Sequence, residues 1–322
     1  MKTKKILLGL LGLTLLSGCT RIDQQHKNSI LIKTEPMKTK NKVVKIDDLS
    51  IFYREAGIQN KETILMLHGF PSSSHMYRDL IGQLSDKYHI IAPDYPGFGL
   101  SSIPPISEFE YTFEHITDIM NQFVDKLKLD GFYLLVQDYG GPIGFRIASQ
   151  RPELIKGLII QNANAYLEGF GEWGIKIGNY MKNNDIEALN TYKDHLMSLD
   201  GIKEQYLTGV SDTTKIDPIS YLTDYAFLNR NHVKDIQSTM FNNYKTNFAK
   251  YSEWQEYFKM HQPPTLVVWG KNDKFFSKAG GKAFNKDLKN IESHFFNGGH
   301  FMLEEYAIEV GDLIDHFIKK QH

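Results

Sequence analysis

The sequence predicts a doubly wound α/β fold, in which helices cover both faces of a mostly parallel eight-stranded sheet and a helical cap is inserted. Three observations support this prediction. Short apolar runs alternate with segments of helical spacing over residues 41–164. The alternation stops over residues 165–260, which are helical in pattern and rich in tyrosine. It returns over residues 261–322, so we expect the flanking segments to form one core and the middle segment to form the cap.

The predicted elements follow one another in a simple order. KVVKID and LSIFYREAG alternate like antiparallel strands, whereas TILMLHG and YHIIAPDYPG are continuous apolar runs typical of buried parallel strands. The spacing of FEHITDIMNQFVDKLKL predicts a helix, FYLLVQ a strand and GPIGFRIASQRPE a second helix. IKGLIIQNA is the last strand before the cap. After the cap, PTLVVWG and NIESHFF are strands on either side of KAGGKAFNKDL, and EEYAIEVGDLIDHFIKK is the closing helix.

The composition is that of an ordinary soluble globular domain. The chain has 322 residues, of which 41% are hydrophobic and 23% are charged, and its formal net charge is −1. Its Lys and Arg residues are scattered along the chain, so the sequence predicts no nucleic-acid partner. No cluster of metal-ligating residues is visible in the sequence, and we expect neither a metal nor an organic cofactor.

Residues 1–18 are typical of a secretory signal peptide. The basic MKTKK precedes the apolar ILLGLLGLTLL, which is too short to span a membrane comfortably. LSGC follows and contains Cys19, the single cysteine of the chain, which therefore has no internal disulfide partner. The segment resembles the lipobox of bacterial lipoproteins, which implies a lipid-modified Cys19 that anchors the protein to a membrane. A short transmembrane anchor and a plain signal peptide are the alternatives.

The residues after the lipobox bear on localisation. Residue 20 is Thr and not Asp, and by the same resemblance this favours the periplasmic side of an outer membrane. Residues 19–40 are polar and show no periodic pattern, so we predict a flexible tether between the anchor and the core.

The stretch LLVQDYGGPIGFRIA, residues 134–148, places an aspartate where a strand meets a helix. An apolar strand ends before Asp138, and Gly140 lets the strand and the helix approach closely. A side chain at the tip of such a turn faces the edge of the sheet, and a carboxylate ionises at neutral pH without a base, so it can attack carbon directly. Asp138 is therefore a candidate nucleophile. The alternative is that it only caps the helix, which is a common role of aspartate.

Three further motifs follow predicted strands. Asp273, in WGKNDKFF, and His300, in NGGHFMLEE, complete the chain order of nucleophile, acid and base. His300 is predicted to activate water, and Asp273 to hold the imidazole in the required tautomer. HGFPSSSHMYRDL follows an early buried strand, and the backbone N–H of Phe70 can pair with that of Tyr139 to form an oxyanion hole.

From about Lys42 to its end the chain resembles the α/β-hydrolase superfamily. HGFP, DYPGFG, VQDYGG, WGKND and GGH are similar to its branch of epoxide hydrolases and haloalkane dehalogenases, where the elbow carries Asp instead of the Ser of esterases. The resemblance implies that Asp138 displaces a leaving group and forms an alkyl ester. His300, oriented by Asp273, would then activate the water that hydrolyses the ester. The implied partners are a small lipophilic substrate and water.

The leaving group separates the two activities of this branch. Dehalogenases resemble one another in carrying Asn or Glu where this chain has Phe70, and Trp where it has Tyr139, so both halide-holding side chains are missing. Trp173, at an unaligned position of the cap, offers one indole N–H. Epoxide hydrolases use cap tyrosines as acids, because a phenol keeps its proton at neutral pH. Tyr244, in NNYKTN, and Tyr166, in QNANAY, are the candidate proton donors.

Epoxide hydrolysis is the leading hypothesis for the reaction, and haloalkane dehalogenation is the alternative. HGFP favours the first activity, whereas VQDYGG and SSSHMYRD are closer to dehalogenases. Tyrosines often pack with their hydroxyl in water, so a purely structural role for the cap tyrosines stays open. Hydrolysis of an ester or of another C–X bond, and a ligand-binding protein without catalysis, are further alternatives.

Overall fold

The computed structural model describes residues 39–322, and its strands form one sheet of eight. The strands are β1 Lys40–Ile46, β2 Leu49–Ala56, β3 Thr63–Leu67, β4 His89–Pro93, β5 Phe132–Gln137, β6 Ile155–Gln161, β7 Thr265–Gly270 and β8 Ile291–Phe296. Their order in the sheet is β1-β2-β4-β3-β5-β6-β7-β8. β2 is antiparallel to both of its neighbours, and all the other pairs are parallel. The predicted eight-stranded, mostly parallel sheet is confirmed.

The helices lie between the strands in the alternation that the sequence predicts. Those outside the predicted cap are α1 Arg78–Leu84, α2 Phe113–Lys126, α3 Gly140–Gln150, α10 Lys278–Ala283 and α11 Leu303–Lys319. Those within it are α4 Glu172–Lys182, α5 Ile186–Leu196, α6 Leu199–Leu207, α7 Pro218–Leu228, α8 Val233–Asn243 and α9 Tyr251–His261.

The central strands are apolar because helices cover them on both sides. Every residue of β3, β5 and β7 is buried, as continuous hydrophobic runs predict for a parallel sheet. The helices carry an apolar stripe and a polar face instead. In α2, Thr112 caps the first turn, since its hydroxyl oxygen accepts a hydrogen bond from the backbone N–H of His115.

The helical segment between β6 and β7 begins and ends at neighbouring points of the core. The side chain of Gln255, in α9, donates a hydrogen bond of 2.9 Å to the carbonyl oxygen of Ala165. Although residues 165–260 are predicted to form the cap, α9 packs on core helix α3. The rings of Trp254 and Phe258 lie 5.6 and 5.4 Å from that of Phe145. Helix α9 therefore contacts the core, and the bounds of the cap stay a prediction.

The predicted signal peptide of residues 1–18, the lipidation site Cys19 and most of the tether lie outside the described residues. Lipid anchoring and export therefore stay predictions. Within residues 39–322, no helix combines the length and the apolar character that crossing a membrane requires.

Candidate active site

The side chains predicted to act together lie at the carboxyl edge of the sheet. Asp138 follows β5, Asp273 follows β7 and His300 follows β8. Because β5, β7 and β8 belong to the parallel part of the sheet, their carboxyl ends meet at this edge. The topology thus brings together three residues that are far apart in the sequence.

Asp138 occupies a strained turn between β5 and α3. Its φ is +47°, a left-handed conformation that is uncommon for a residue with a side chain. The turn is tight, because a Cβ added to Gly140 would lie 2.0 Å from the carbonyl oxygen of Leu67 in β3. Asp138 is 7% exposed as a whole residue, and it lines a cavity. The residue does not act as the predicted alternative of an N-cap, since Tyr139 precedes α3 and no side chain caps that helix.

His300 is held by Asp273 on one side and faces Asp138 on the other. Nδ1 of His300 lies 2.8 Å from Oδ2 of Asp273. The other oxygen of Asp273 accepts a hydrogen bond of 2.7 Å from the backbone N–H of Phe275. Nε2 of His300 lies 3.9 Å from Oδ2 of Asp138, which is too long for a direct hydrogen bond. The imidazole is therefore oriented by one carboxylate and separated from the other by a short gap.

The charges of this site shift the acidities of its members. Burial lowers the pKa of His300, but the negative charges of Asp273 and Asp138 outweigh burial, and the net pKa is raised. Burial raises the pKa of Asp138, although the charge of His300 and the backbone N–H groups of Phe70 and Tyr139 oppose this shift. Converting Asp138 to an uncharged group would remove one of the charges that hold the proton on His300, which would make the imidazole a better base.

The two predicted backbone donors both interact with Asp138. The N–H of Phe70 donates a hydrogen bond of 2.8 Å to Oδ1 of Asp138. The N–H of Tyr139 also favours the ionised carboxylate and lowers its pKa. Two fixed donors directed at one carboxyl group can stabilise negative charge that develops on its oxygen. Oδ2 lies on the side of His300 and accepts no hydrogen bond of good geometry within the described residues, so it is the oxygen available to react.

A cavity of about 310 Å³ opens above this carboxylate. Its walls are mainly apolar, and they come from the core loops and from the segment between β6 and β7. The apolar lining includes Phe70, Leu167, Phe170, Ile175, Ile177, Met181, Leu196, Phe241, Phe248, Phe275 and Phe276. Leu167 and Ile175 are 69% and 55% exposed, so the rim of the cavity presents apolar side chains to solvent. A pocket of this size and polarity fits a small apolar molecule.

Two phenols, of Tyr139 and Tyr244, lie in the cavity wall beside Asp138. Their ring centroids are 6.0 Å apart. Both hydroxyl oxygens are buried, and neither forms a hydrogen bond of good geometry within residues 39–322. Burial and the nearby charge of Asp138 raise the pKa of both phenols, so both keep their protons and remain donors. For Tyr244, the neighbouring hydroxyl of Tyr251 adds to the increase in pKa.

Two aromatic residues singled out in the sequence lie elsewhere. The prediction of Tyr166 as a proton donor is wrong, because its hydroxyl donates a hydrogen bond of 2.8 Å to Asp287 and it is absent from the described lining of the cavity. Trp173 packs its ring 5.0 Å from that of Phe275 and lines a separate polar depression. No tryptophan is among the described residues that line the cavity. The candidate indole donor for a halide is therefore not in place.

Sequence reasoning missed two polar residues of the site, Asn162 and Gln137. Asn162 follows β6 with a φ of +40°, donates a hydrogen bond of 2.7 Å to Oδ2 of Asp273 and accepts one of 2.8 Å from the N–H of Gly270. Gln137 ends β5 and contacts His300. A polar residue that closes an apolar strand, and an Asn in a position to adopt a left-handed conformation, are the signals in the sequence. Within residues 39–322, no group of three or more His, Cys, Asp or Glu side chains is arranged to bind a metal.

Comparison with known proteins places these features in a family. The sequence profile of the alpha/beta hydrolase fold matches residues 62–307. An uncharacterized hydrolase of Saccharomyces cerevisiae is 36% identical over 272 residues, which are 83% of this chain and 93% of the relative. Haloalkane dehalogenase 2 of Mycobacterium tuberculosis is 41% identical over only 99 residues, 31% of this chain and 34% of the relative. The crystal structure of a haloalkane dehalogenase from Bradyrhizobium elkani is similar in fold, with a TM-score of 0.71 and 21% identity over 88% of this chain and 99% of that chain.

Proposed function

The chain belongs to the alpha/beta hydrolase fold family, and for this member we propose a specific reaction. It hydrolyses small apolar epoxides through a covalent ester on Asp138. The observation that carries this proposal is the convergence of three groups on one cavity. These groups are a carboxylate at the strand–helix elbow, a histidine held by Asp273, and the phenol of Tyr244. A carboxylate nucleophile forms an alkyl ester, and the site provides both a donor for the departing oxygen and a base for water.

In the first half-reaction, Oδ2 of Asp138 forms a bond to an epoxide carbon while the carbon–oxygen bond of the ring breaks. Oδ1 is occupied by the N–H of Phe70, which leaves Oδ2 as the attacking atom. The alkoxide takes the proton of Tyr244, and the hydroxyl of Tyr139 can donate a hydrogen bond to the same oxygen. Both phenols are buried without a competing acceptor of good geometry in the described part of the chain, so they are available to the substrate.

In the second half-reaction, water attacks Cγ of Asp138 while His300 takes one of its protons. The N–H groups of Phe70 and Tyr139 stabilise the oxyanion that forms. The bond between Cγ and the product oxygen then breaks, and that oxygen receives the proton held by His300. The proton that remains on the Asp138 carboxyl returns to the phenolate of Tyr244, and the enzyme regains its starting state.

The lining of the cavity supports an apolar substrate. Apart from the groups next to Asp138 and the amides of Asn179 and Gln205, the walls are mainly aliphatic and aromatic, and hydrophobic transfer favours a molecule with little polar surface. An epoxide meets this requirement, because it carries no charge and exposes a single oxygen to the two phenols. The apolar rim formed by Leu167 and Ile175 suits the capture of such molecules from a lipid-rich environment.

The test is the intact mass of the His300→Gln variant after incubation with a panel of epoxides, bromoalkanes and activated esters. Without the base, the ester on Asp138 should accumulate, because its formation does not require His300. We expect a mass gain equal to a whole epoxide. The doubly substituted variant with Asp138→Asn is the control and should gain no mass. A folded His300→Gln variant that gains no mass from any compound would refute the proposal.

Replacing Tyr244 by Phe should slow ester formation from an epoxide by about 10- to 100-fold, since one proton donor for the alkoxide is lost. Ester formation from a bromoalkane should change little, because bromide leaves without a proton. Tyr225→Phe is the matched control, since Tyr225 belongs to α7 and is not among the described residues that line the cavity. Rapid-quench mass spectrometry measures both rates. Equal losses with both substrate classes would show that Tyr244 shapes the cavity and does not donate the proton.

Haloalkane dehalogenation is the second candidate, and the local identity of 41% to a haloalkane dehalogenase favours it. In that reaction bromide or chloride would leave as an anion, and Tyr244 would not act as an acid. The same His300→Gln experiment distinguishes the two reactions. A mass gain of an alkyl group without its halogen would assign dehalogenation and overturn the epoxide assignment.

A further inference from the structure

Gln137, the last residue of β5, is a fully buried amide in contact with the proposed base. Its side chain is 0% exposed. Nε2 of Gln137 lies 3.0 Å from Nε2 of His300, the ring nitrogen that must receive a proton from water. Oε1 of Gln137 is also buried, and within residues 39–322 it has no hydrogen-bond partner. A buried acceptor without a hydrogen-bond partner destabilises the folded state, so such an atom in a folded protein calls for an explanation.

The unpaired oxygen of Gln137 lies next to the reactive carboxyl group. A Cβ added to Gly69 would come within 2.3 Å of both Oε1 of Gln137 and Cβ of Asp138. The amide of Gln137 and the side chain of Asp138 therefore both pack against Gly69, which has no side chain and leaves space for them. The Gln137 amide thus reaches from the elbow of Asp138 to the ring of His300.

The space between His300 and Asp138 matches one water molecule. The gap of 3.9 Å between Nε2 of His300 and Oδ2 of Asp138 exceeds a hydrogen bond, and polar groups at such separations are commonly bridged by water. A water that donates one proton to His300 has a second proton that must find an acceptor. The unpaired oxygen of Gln137 belongs to the amide that contacts Nε2 of His300, so rotation of that amide brings an acceptor to this gap.

An amide fits both protonation states of His300 during hydrolysis. With Nδ1–H donating to Asp273, neutral His300 presents an acceptor at Nε2, toward which the Gln137 amide can donate. For water to deliver a proton to Nε2, the amide N–H of Gln137 must leave the lone pair, and rotation of the same amide frees Nε2 and presents Oε1 to the second hydrogen of the water. Neither an apolar side chain nor a carboxylate can serve both states.

We propose that Gln137 is a positioning residue for the hydrolytic water, accepting one of its hydrogens while His300 takes the other. The inference rests on the proposed ester mechanism, and it confines the role of Gln137 to the second half-reaction. Gln137 holds the water oxygen toward Cγ of Asp138 and takes no part when the substrate alkylates Oδ2. Loss of the amide should therefore affect hydrolysis of the ester and leave its formation unchanged.

The test compares Gln137→Met with Gln161→Met. Gln161 ends β6 directly opposite Gln137 in the sheet register, and it is equally buried. Within the described chain its amide makes no hydrogen bond, so the control removes a similar side chain that does not contact His300. Rapid-quench mass spectrometry follows formation and decay of the ester with an epoxide that alkylates His300→Gln. Steady-state kinetics of the same variants give kcat and KM.

In Gln137→Met we expect hydrolysis of the ester to slow by about 10- to 100-fold, less than the roughly 10²- to 10⁴-fold of a general base, because His300 remains in place. Ester formation should stay within about two-fold of the wild-type rate, because Gln137 takes no part in the first half-reaction. The ester should accumulate, and kcat and KM should fall together so that kcat/KM is retained. Gln161→Met should behave as wild type. A general loosening of the site would instead lower kcat/KM and slow both steps.

The outcomes separate this inference from the proposed function. An ester on His300→Gln together with wild-type hydrolysis in Gln137→Met would overturn the inference alone. No ester on His300→Gln from any compound would overturn the proposed function and, with it, the role of Gln137. If Gln137→Met does not fold, Gln137→Glu replaces it. Its carboxylate should retain the protonated form of His300 and also make the ester accumulate, and rapid hydrolysis in that variant would count against the inference.

Discussion

Replacing Asp138 by Gly should abolish turnover and at the same time make the protein more stable. Removal of the nucleophile leaves no atom to form the ester, and losses on the order of 10⁴-fold or more are expected for such a change. The gain in stability has two sources. Asp138 adopts a φ of +47°, a conformation that glycine adopts without strain.

Its pKa is also raised, chiefly because burial disfavours the ionised form. A carboxyl group with a raised pKa in the folded state lowers stability at pH values above that pKa, so at neutral pH its removal is favourable. We expect the free energy of unfolding to rise by about 1 kcal/mol, which is less than the sum of both effects because glycine gains freedom in the unfolded chain.

The matched control for this prediction is Asp47→Gly. Asp47 has a nearly identical φ of +48° in the exposed turn between β1 and β2. The Asp47→Gly substitution isolates the effect of the backbone conformation on the free energy of unfolding, and this variant should retain full activity. Denaturant unfolding at neutral pH and turnover assays measure both properties. An Asp138→Gly protein that is less stable than wild type would mean that the elbow stores no strain, and retained turnover would place the nucleophile elsewhere.

Replacing Gly140 by Ala should destabilise the protein severely. The added Cβ would lie 2.0 Å from the carbonyl oxygen and 2.7 Å from the carbonyl carbon of Leu67, and both are backbone atoms of β3. β3 lies between β4 and β5 in the sheet and has no room to retreat. Overpacking of this kind costs up to about 3 kcal/mol, and we expect a loss near that limit. The shift of β3 should also displace Phe70, which follows it and donates to Asp138.

Gly82→Ala is the control for the size of the side chain. Gly82 lies in the exposed face of α1, and no described atom lies within 4 Å of the added Cβ. There the substitution should raise the free energy of unfolding by about 0.5–1 kcal/mol, because alanine favours a helix. Thermal unfolding of the two variants should therefore shift in opposite directions. A Gly140→Ala protein with wild-type stability and activity would contradict the close approach at the elbow.

The sheet could be predicted from the sequence because its strands are buried on both sides. Continuous apolar runs such as FYLLVQ and TLVVWG are too short for a buried helix and lack the polar face of a surface helix, so they predict buried strands. Each run is followed by a turn that begins with polar residues. The positions of Asp138, Asp273 and His300 followed from the same pattern. Residues at the carboxyl ends of parallel strands meet whatever their distance in the sequence.

Which side chains of the cap face the cavity could not be predicted from the sequence, because tertiary contacts determine their positions. Tyr166 and Tyr244 look alike in the sequence, yet one hydroxyl binds Asp287 and the other lies in the cavity wall. Nothing in the local sequence distinguishes the two environments. Gln137 and Asn162 were missed for a related reason. Their roles depend on hydrogen bonds to His300 and Asp273, which are made across the sheet edge by residues distant in the chain.

The contact between Ala165 and Gln255 has a consequence for how this protein can diversify. A segment whose two ends are joined can change in length at a small entropic cost, and its redesign need not move the turns that hold the reacting groups. The proposed reacting groups thus lie on turns of the sheet, whereas part of the cavity lining lies on α4, α5, α6 and α8. Changes within this one stretch of sequence should therefore reshape the cavity while the turns that carry Asp138, Asp273 and His300 stay unaltered.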